Sequence, residues 1–308
     1  MKLTIKSILI LCLVTIIPLL LSGCPADNDP SEEQGGLEQP DDPNNPDNPG
    51  DSGSTNRPED PNQPSDSDTF PKVVFFDDFE GESIIPDTTK WILCRKGKSN
   101  WARYLSESYN EAYQKDGYLY LVAERVDDEY LTGAIETRGK FEFQFGKVEC
   151  KAKFMRQPAG NHTGIWMMPA PPAEQWPKSG EIDIMEHLGN DKIIYETVHS
   201  WYIDDLNHNS PKAQQEVNVD NDEWNVYGVE WNEKQLIYYV NDEPYLIYDN
   251  QNLENETTVL QWPFNHPFYI ILSQSLGGKG TWAGEIDNDA LPAIFLIDWI
   301  KVTKTNED

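Results

Sequence analysis

Positive charge is scarce in this 308-residue chain: 24 Lys and Arg stand against 53 Asp and Glu, a formal charge of −29. Affinity for nucleic acid comes mostly from basic side chains neutralising phosphates, so this composition excludes a nucleic-acid partner. It argues equally against electrostatic docking on anionic lipid. Long apolar runs are missing beyond Ile8–Leu21, and that run, interrupted by Thr15 and Pro18, falls short of the roughly 20 residues a membrane span needs. No amphipathic helix follows it, and no internal repeat is visible. What remains is length enough for one large domain or two small ones, with an acidic surface suited to a neutral or cationic ligand.

The first 24 residues read as a targeting segment, with Lys2 and Lys6 ahead of the apolar run. They end in Leu21-Ser22-Gly23-Cys24, which resembles a bacterial lipobox and implies cleavage before Cys24 with lipid on that residue. Residues 25–69 then carry thirteen acidic side chains, nine Pro and only Ala26 and Leu37 as clearly apolar side chains. Such a segment cannot build a core, so it is expected to be a disordered linker holding a domain off a membrane. The expected organisation is therefore a lipoprotein signal peptide (1–24), an acidic Pro-rich linker (25–69) and one domain (70–308). With Cys12 removed and Cys24 lipidated, Cys94 and Cys150 remain, either paired or as thiols in strand cores.

From Phe70 onward the pattern is β. Phe141, Phe143 and Phe145 alternate with Lys140, Glu142 and Gln144; after Gly146, Val148, Cys150, Ala152 and Phe154 alternate with Lys147, Glu149, Lys151 and Lys153. That break at a glycine predicts a hairpin, as does the passage from Gln235–Val240 through Asn241-Asp242-Glu243 into Tyr245–Tyr248. Further strands are predicted at Val73–Phe76, Tyr118–Ala123, Ile193–His199, Val226–Trp231, Phe268–Ser273 and Ile294–Val302. Many short strands with turn punctuation predict an all-β sandwich or jelly roll.

The chemistry is concentrated in Gly180-Glu181-Ile182-Asp183-Ile184-Met185-Glu186. In a regular strand Glu181 and Asp183 share a face, and Glu186 points the other way. One extra residue in a bulge between Ile184 and Met185 brings Glu186 back, lining up three carboxylates over an apolar underside. A purely structural strand gains nothing from crowding three acids. Two carboxyl groups about 5–5.5 Å apart are the machinery of a retaining glycosidase, one attacking the anomeric carbon and one protonating the leaving oxygen. Asp183 between them can hydrogen-bond to the nucleophile. Burial and a neighbouring anion are expected to raise the carboxyl that acts as acid. Trp166 and Trp176 flank the acids in sequence, either as sugar platforms or, for Trp166, as core filling. His199 ends the following strand, at the cleft or as a structural histidine.

These residues resemble the signature of glycoside hydrolase family 16 in its laminarinase-like form. Phe75–Glu80, Gly139–Phe143 with Gly146–Glu149, Gly164–Pro169, Leu276-Gly277-Gly278 with Trp282, and Leu296–Val302 resemble its other strands and rim loops, in order. The resemblance implies a β-jelly roll (a concanavalin-like sandwich) with Glu181 as nucleophile, Asp183 as its assistant and Glu186 as acid/base. It implies no cofactor for catalysis and a structural Ca²⁺ near the first and last strands, with Asp298 as candidate side-chain ligand. His199 is implied at the cleft and Trp282 at its rim. The run Trp201–Pro211 resembles the Bacteroidetes branch of the family, which acts on host mucin glycans as well as on β-glucans, and makes Trp201 a candidate substrate contact. The expectation is a monomeric, lipid-anchored enzyme on the bacterial outer membrane, exposed at the cell surface. Its substrate is a polysaccharide or glycan cleaved at internal β-1,3 or β-1,4 linkages: laminarin or mixed-linkage glucan, or alternatively the β-galactosides of mucin-type O-glycans. The rival from another class is a non-catalytic glycan-binding lipoprotein, which would be expected to have lost one acid.

Overall fold

The computed structural model describes residues 71–253 and 260–304; the leader, Cys24 and the linker 25–69 lie outside them. Two antiparallel sheets account for the strands among these residues. The first runs β14 (Glu243–Asp249), β13 (Gln235–Val240), β12 (Asn225–Trp231), β7 (Gly146–Arg156), β16 (Ala293–Lys304), β4 (Tyr118–Val126) and β3 (Ala112–Lys115). To it β1 (Lys72–Asp77) adds beside β16, and β5 (Glu129–Thr132) beside β4. The second runs β11 (Gln214–Asn218), β10 (Ile193–His199), β9 (Glu181–Leu188), β8 (Asn161–Pro169), β15 (Phe268–Leu276), β6 (Ala134–Glu136) and β2 (Ile92–Leu93). A short helix α1 (Trp201–Asp204) follows β10.

Alternation places the core. On β7 Val148, Cys150, Ala152 and Phe154 are buried while the intervening lysines and Glu149 face outward. They meet Ile165, Met167, Ile182, Ile184 and Met185 of the second sheet in one hydrophobic cluster. Removing that apolar area from water is the main force holding the sheets together. A buried polar group ties them too, the Tyr238 hydroxyl donating to the Thr197 carbonyl at 3.0 Å, while the Trp231 indole donates to the Phe264 carbonyl, ahead of β15, at 3.1 Å. Tyr238 thereby anchors β10 beside β9, the strand that carries the three acids.

The structure departs from the sequence reading at Gly146. Residues 139–145 form turns rather than a strand. Phe143 exchanges backbone hydrogen bonds with Phe268 (3.0 and 2.8 Å), and the rings of Phe143 and Phe145 lie edge-on to Trp231. The phenylalanines do reach the core, but as a plug stapled by tertiary contacts. Gly146 redirects the chain at φ +130°, and a Cβ there would lie 2.5 Å from the Thr303 carbonyl oxygen. The other predicted hairpin is present as β13–β14, turned by Asn241 and Asp242, both at positive φ as such tight turns require. Cys94 and Cys150 are both free and buried, in separate clusters, so they do not pair. Among the described residues no helix is long and apolar enough to cross a membrane.

Candidate active site

Gly180, at φ +79° where a Cβ would lie 2.6 Å from the Phe264 ring, turns the chain into β9. Pairing then fixes what faces outward. On β8, Gly164 lies opposite Glu186 and Trp166 opposite Asp183; the register slips between Ile165 and Trp166, because Ile184 is the extra residue. On β10, Tyr195 lies opposite Glu186, Thr197 opposite Asp183 and His199 opposite Glu181. The slip is the bulge that the spacing of the acids requires. Ile182, Ile184 and Met185 are all buried beneath it, while Glu181, Asp183 and Glu186 share the outer face.

Each carboxylate has its own partners. The Trp176 indole N–H donates to Glu181 Oε2. Glu186 Oε1 lies 3.0 Å from His162 Nε2, and its Oε2 accepts from the Thr197 hydroxyl at 3.3 Å. Asp183 is buried, with His199 Nε2 3.3 Å from its Oδ2. His199 Nδ1 is 2.8 Å from Asp204 Oδ1, and the Ser200 backbone N–H donates to Asp204 Oδ2 at 3.0 Å. α1, capped by the Ser200 side chain, thus holds Asp204 behind the histidine.

Burial raises Glu181 above the ordinary carboxylate range, against the pull of His199 and the Trp176 hydrogen bond. Burial, then the charges of Glu181 and Glu186, raise Asp183 well above that range. A protonated Asp183 hydrogen-bonded to Glu181 relieves the repulsion between adjacent acids and leaves the negative charge on Glu181. Burial works against the His199 imidazolium, but its hydrogen bond to the Asp204 carboxylate and the charge of Glu181 outweigh it, so His199 is raised.

The three acids line a narrow crevice of about 40 Å³ with Trp101, His162, Trp166 and Ser273. From Glu181 it opens into a cleft of about 790 Å³ along Trp176, His199, Trp166, Tyr269, Arg138 and Asn100. Trp166 is buried in the floor, its N–H on the Ser273 hydroxyl and its ring edge-on to Trp101. Trp176 and Trp282 are half exposed at opposite ends of the acid row. Trp176 packs 5.6 Å from the His199 ring, and Trp282 lies 4.9 Å from Tyr195 and 5.6 Å from His162.

Two expected site residues lie elsewhere. Trp201 opens α1 beneath the Lys178 ammonium, 5.0 Å from its ring, and does not line the cleft; the segment reaches the site through Asp204 instead. Asp298 faces outward on the other sheet, 2.7 Å from the Lys151 ammonium. The ammonium takes one oxygen of that carboxylate, and among the described residues no three His, Cys, Asp or Glu side chains converge as metal ligands. Sequence reasoning missed His162, Thr197, Asp204 and Trp101. His162 and Thr197 stand two residues before Gly164 and His199, so period-2 alternation along β8 and β10 could have found them. Trp101 arrives from a distant loop and carries no local signal.

An acid triad on the bulged strand of a jelly roll, beside an aromatic-lined cleft, defines a carbohydrate-active site. The family model for glycosyl hydrolases family 16 matches residues 99–301, and the chain belongs to that family. It is 34% identical over 243 residues to a keratan-sulfate endo-1,4-beta-galactosidase of Sphingobacterium multivorum, covering 76% of this chain and 55% of that protein. It is 30% identical over 248 residues to a beta-glucanase of Rhodothermus marinus, covering 75% of this chain and 84% of that protein. The chain thus spans about half the length of the first relative. Among solved structures it resembles one from work on endo-acting O-glycanases with which human gut microbiota initiate mucin breakdown (TM-score 0.69, 36% identity, covering 75% of this chain and 99% of that one). It also resembles the Rhodothermus marinus laminarinase (TM-score 0.68, 29% identity, covering 76% and 98%).

Proposed function

We propose that this chain is a retaining endo-β-glycosidase. The observation that supports this most directly is the outward row Glu181–Asp183–Glu186 at the wall of an open cleft, each acid held by different neighbours. Glu181 attacks the anomeric carbon, and Glu186 gives its proton to the departing oxygen. Glu186 then takes a proton from water as that water cleaves the glycosyl–Glu181 ester. The strand's direction sets the polarity of binding: the larger cleft, on the Glu181 side, takes the sugars that become covalently bound. Trp282, Tyr195 and His162, on the Glu186 side, meet the leaving portion.

Two substrate classes are supported. Similarity to the beta-glucanase and the laminarinase favours a β-glucan. Higher identity to the endo-galactosidase and to the O-glycanase structure favours a β-galactoside of host-type glycans. Tethering through a lipidated Cys24 on the acidic linker, at the cell surface, rests on the sequence Leu21-Ser22-Gly23-Cys24 and the composition of residues 25–69. Digestion of laminarin, lichenan, keratan and mucin O-glycans with products sized tests the proposal. Oligosaccharide ladders from one class are expected; release of single terminal sugars alone, or no cleavage of any, would overturn it.

A further inference from the structure

Glu186 is served from both sides by different chemistry. Thr197 on β10 donates to one oxygen, and His162 on β8 meets the other at 3.0 Å. Together they fix the plane of the carboxyl. His162 is not sealed in the core: its side chain keeps 23% of its exposure and stands edge-on to Trp282, at the side of the cleft assigned to the leaving sugar. The groups facing Glu186 are His162 from β8, Glu181 and Asp183 from β9, and Tyr195 and His199 from β10. The two acids, and Tyr195 when ionised, disfavour a second negative charge, whereas an imidazole can carry a proton. Among the described residues His162 is the one basic side chain at ion-pair distance from Glu186.

Resting on Glu186 as the acid/base, we propose that His162 is a positioning residue that shares one proton with Glu186 and aims its carboxyl at the glycosidic oxygen. In the singly protonated pair the proton lies on Glu186 Oε1 or on His162 Nε2, across one hydrogen bond. As the glycosidic bond breaks, that proton leaves through Glu186 to the departing oxygen. The imidazole left neutral keeps its own proton on Nδ1, and its bare Nε2 faces the carboxylate, ready to hold a proton again. When Glu186 later takes a proton from the attacking water, the shared pair is restored, so the cycle is balanced with no outside donor. The imidazole thus keeps a proton within one hydrogen bond of the carboxyl that must deliver it.

His162→Leu and His162→Gln separate these functions, since the Gln amide can donate the hydrogen bond but cannot store a proton. Two substrates are needed: whichever of laminarin or desulfated keratan the enzyme cleaves, and the 2,4-dinitrophenyl β-glycoside of the matching disaccharide (laminaribiose or N-acetylglucosaminyl-galactose). The dinitrophenolate leaves without a proton. For His162→Leu, kcat/KM on the glycan is expected to fall about tenfold to a hundredfold, with a much smaller loss in first-turnover dinitrophenol release. The alkaline limb of its pH profile is expected to move down by about one pH unit. His162→Gln should recover most of the rate at acid pH and keep the displaced limb. Equal losses on both substrates, or an unmoved limb in both variants, would overturn the proposal. Glu186→Ala serves as the control for the underlying reading. If it slows first-turnover dinitrophenol release as severely as glycan cleavage, the assignment of Glu186 has failed, whatever His162 does.

Discussion

The outer faces of the two sheets use the same alternation to opposite ends. On the nine-stranded sheet several charges of β7 and β16 are paired: Lys151 meets Asp298 at 2.7 Å, while Lys301 and Lys147 meet Glu149 at 2.8 and 3.1 Å. Those lysines also lie over Trp224, Trp299 and Tyr239. On the seven-stranded sheet three acids crowd one strand, and the neighbouring basic groups are the imidazoles of His162 and His199. A sheet face that only has to be soluble can neutralise its charges pairwise. One that leaves like charges together, and lets burial raise two of them, gives up stability for reactivity.

The sharpest way to break that contrast is Glu181→Gln, which keeps the shape and removes the nucleophile. Turnover is expected to fall about ten-thousandfold or more, with unfolding and glycan binding little changed. Near-normal hydrolysis by the purified variant would place the chemistry elsewhere.

A second acid shows what burial does without a task at the cleft. Glu196 points from β10 into the core, fully buried, and neither of its carboxylate oxygens has a hydrogen-bond partner. Burial pushes it up to about 8 from an ordinary value of 4.5. Below the ordinary value folded and unfolded chains are both protonated there, and stability is unaffected. As pH rises above it the unfolded chain ionises and the folded one does not, so stability falls until about pH 8. At pH 7 the loss is about 3 kcal/mol. Glu196→Leu is therefore expected to raise the melting temperature at pH 7 and to flatten its decline between pH 5 and 8. An unchanged pH dependence would mean that Glu196 is ionised in the fold.

Smaller effects sharpen the boundary of the site. Trp176→Ala removes an exposed platform and the indole N–H on Glu181, so kcat/KM is expected to fall about tenfold to a hundredfold. Trp201→Ala should change kcat/KM less than about threefold, since that ring lies outside the cleft. A larger loss in Trp201→Ala than in Trp176→Ala would return the 201–211 segment to substrate contact. Smallest of all, Asp298→Asn breaks a partly exposed ion pair and should cost less than about 1 kcal/mol in denaturant unfolding. Stability that depends on added Ca²⁺ in the parent and not in Asp298→Asn would contradict the reading of that residue as a simple ion-pair partner.

Much of this was legible in the residues, for reasons that differ by element. The strands β7, β10 and β16 declare themselves because one face is core and the other water, so their polarity alternates. The bulge on β9 is readable because three acids at that spacing make sense only if Glu186 returns to the face of Glu181. The loop 139–145 misleads for the same physical reason: Phe141, Phe143 and Phe145 alternate like a strand, yet Phe143 is held by Phe268, far along the chain. The ion pair of Asp298 has no local signal because Lys151 lies on a neighbouring strand. Asp204 behind His199 and Trp101 over Trp166 are products of folding, and no spacing in the sequence announces them.

The central claim is that Glu181 and Glu186 act as nucleophile and acid/base on one strand, with a covalent glycosyl-enzyme between two displacements. Proton NMR of the anomeric signals in the first minutes of digestion, before mutarotation, tests it most directly. The account predicts that the newly formed reducing end appears first as the β anomer and only later equilibrates. An initial α anomer would contradict it, because a single inverting displacement needs a water held between the two carboxylates and leaves no role for an ester on Glu181.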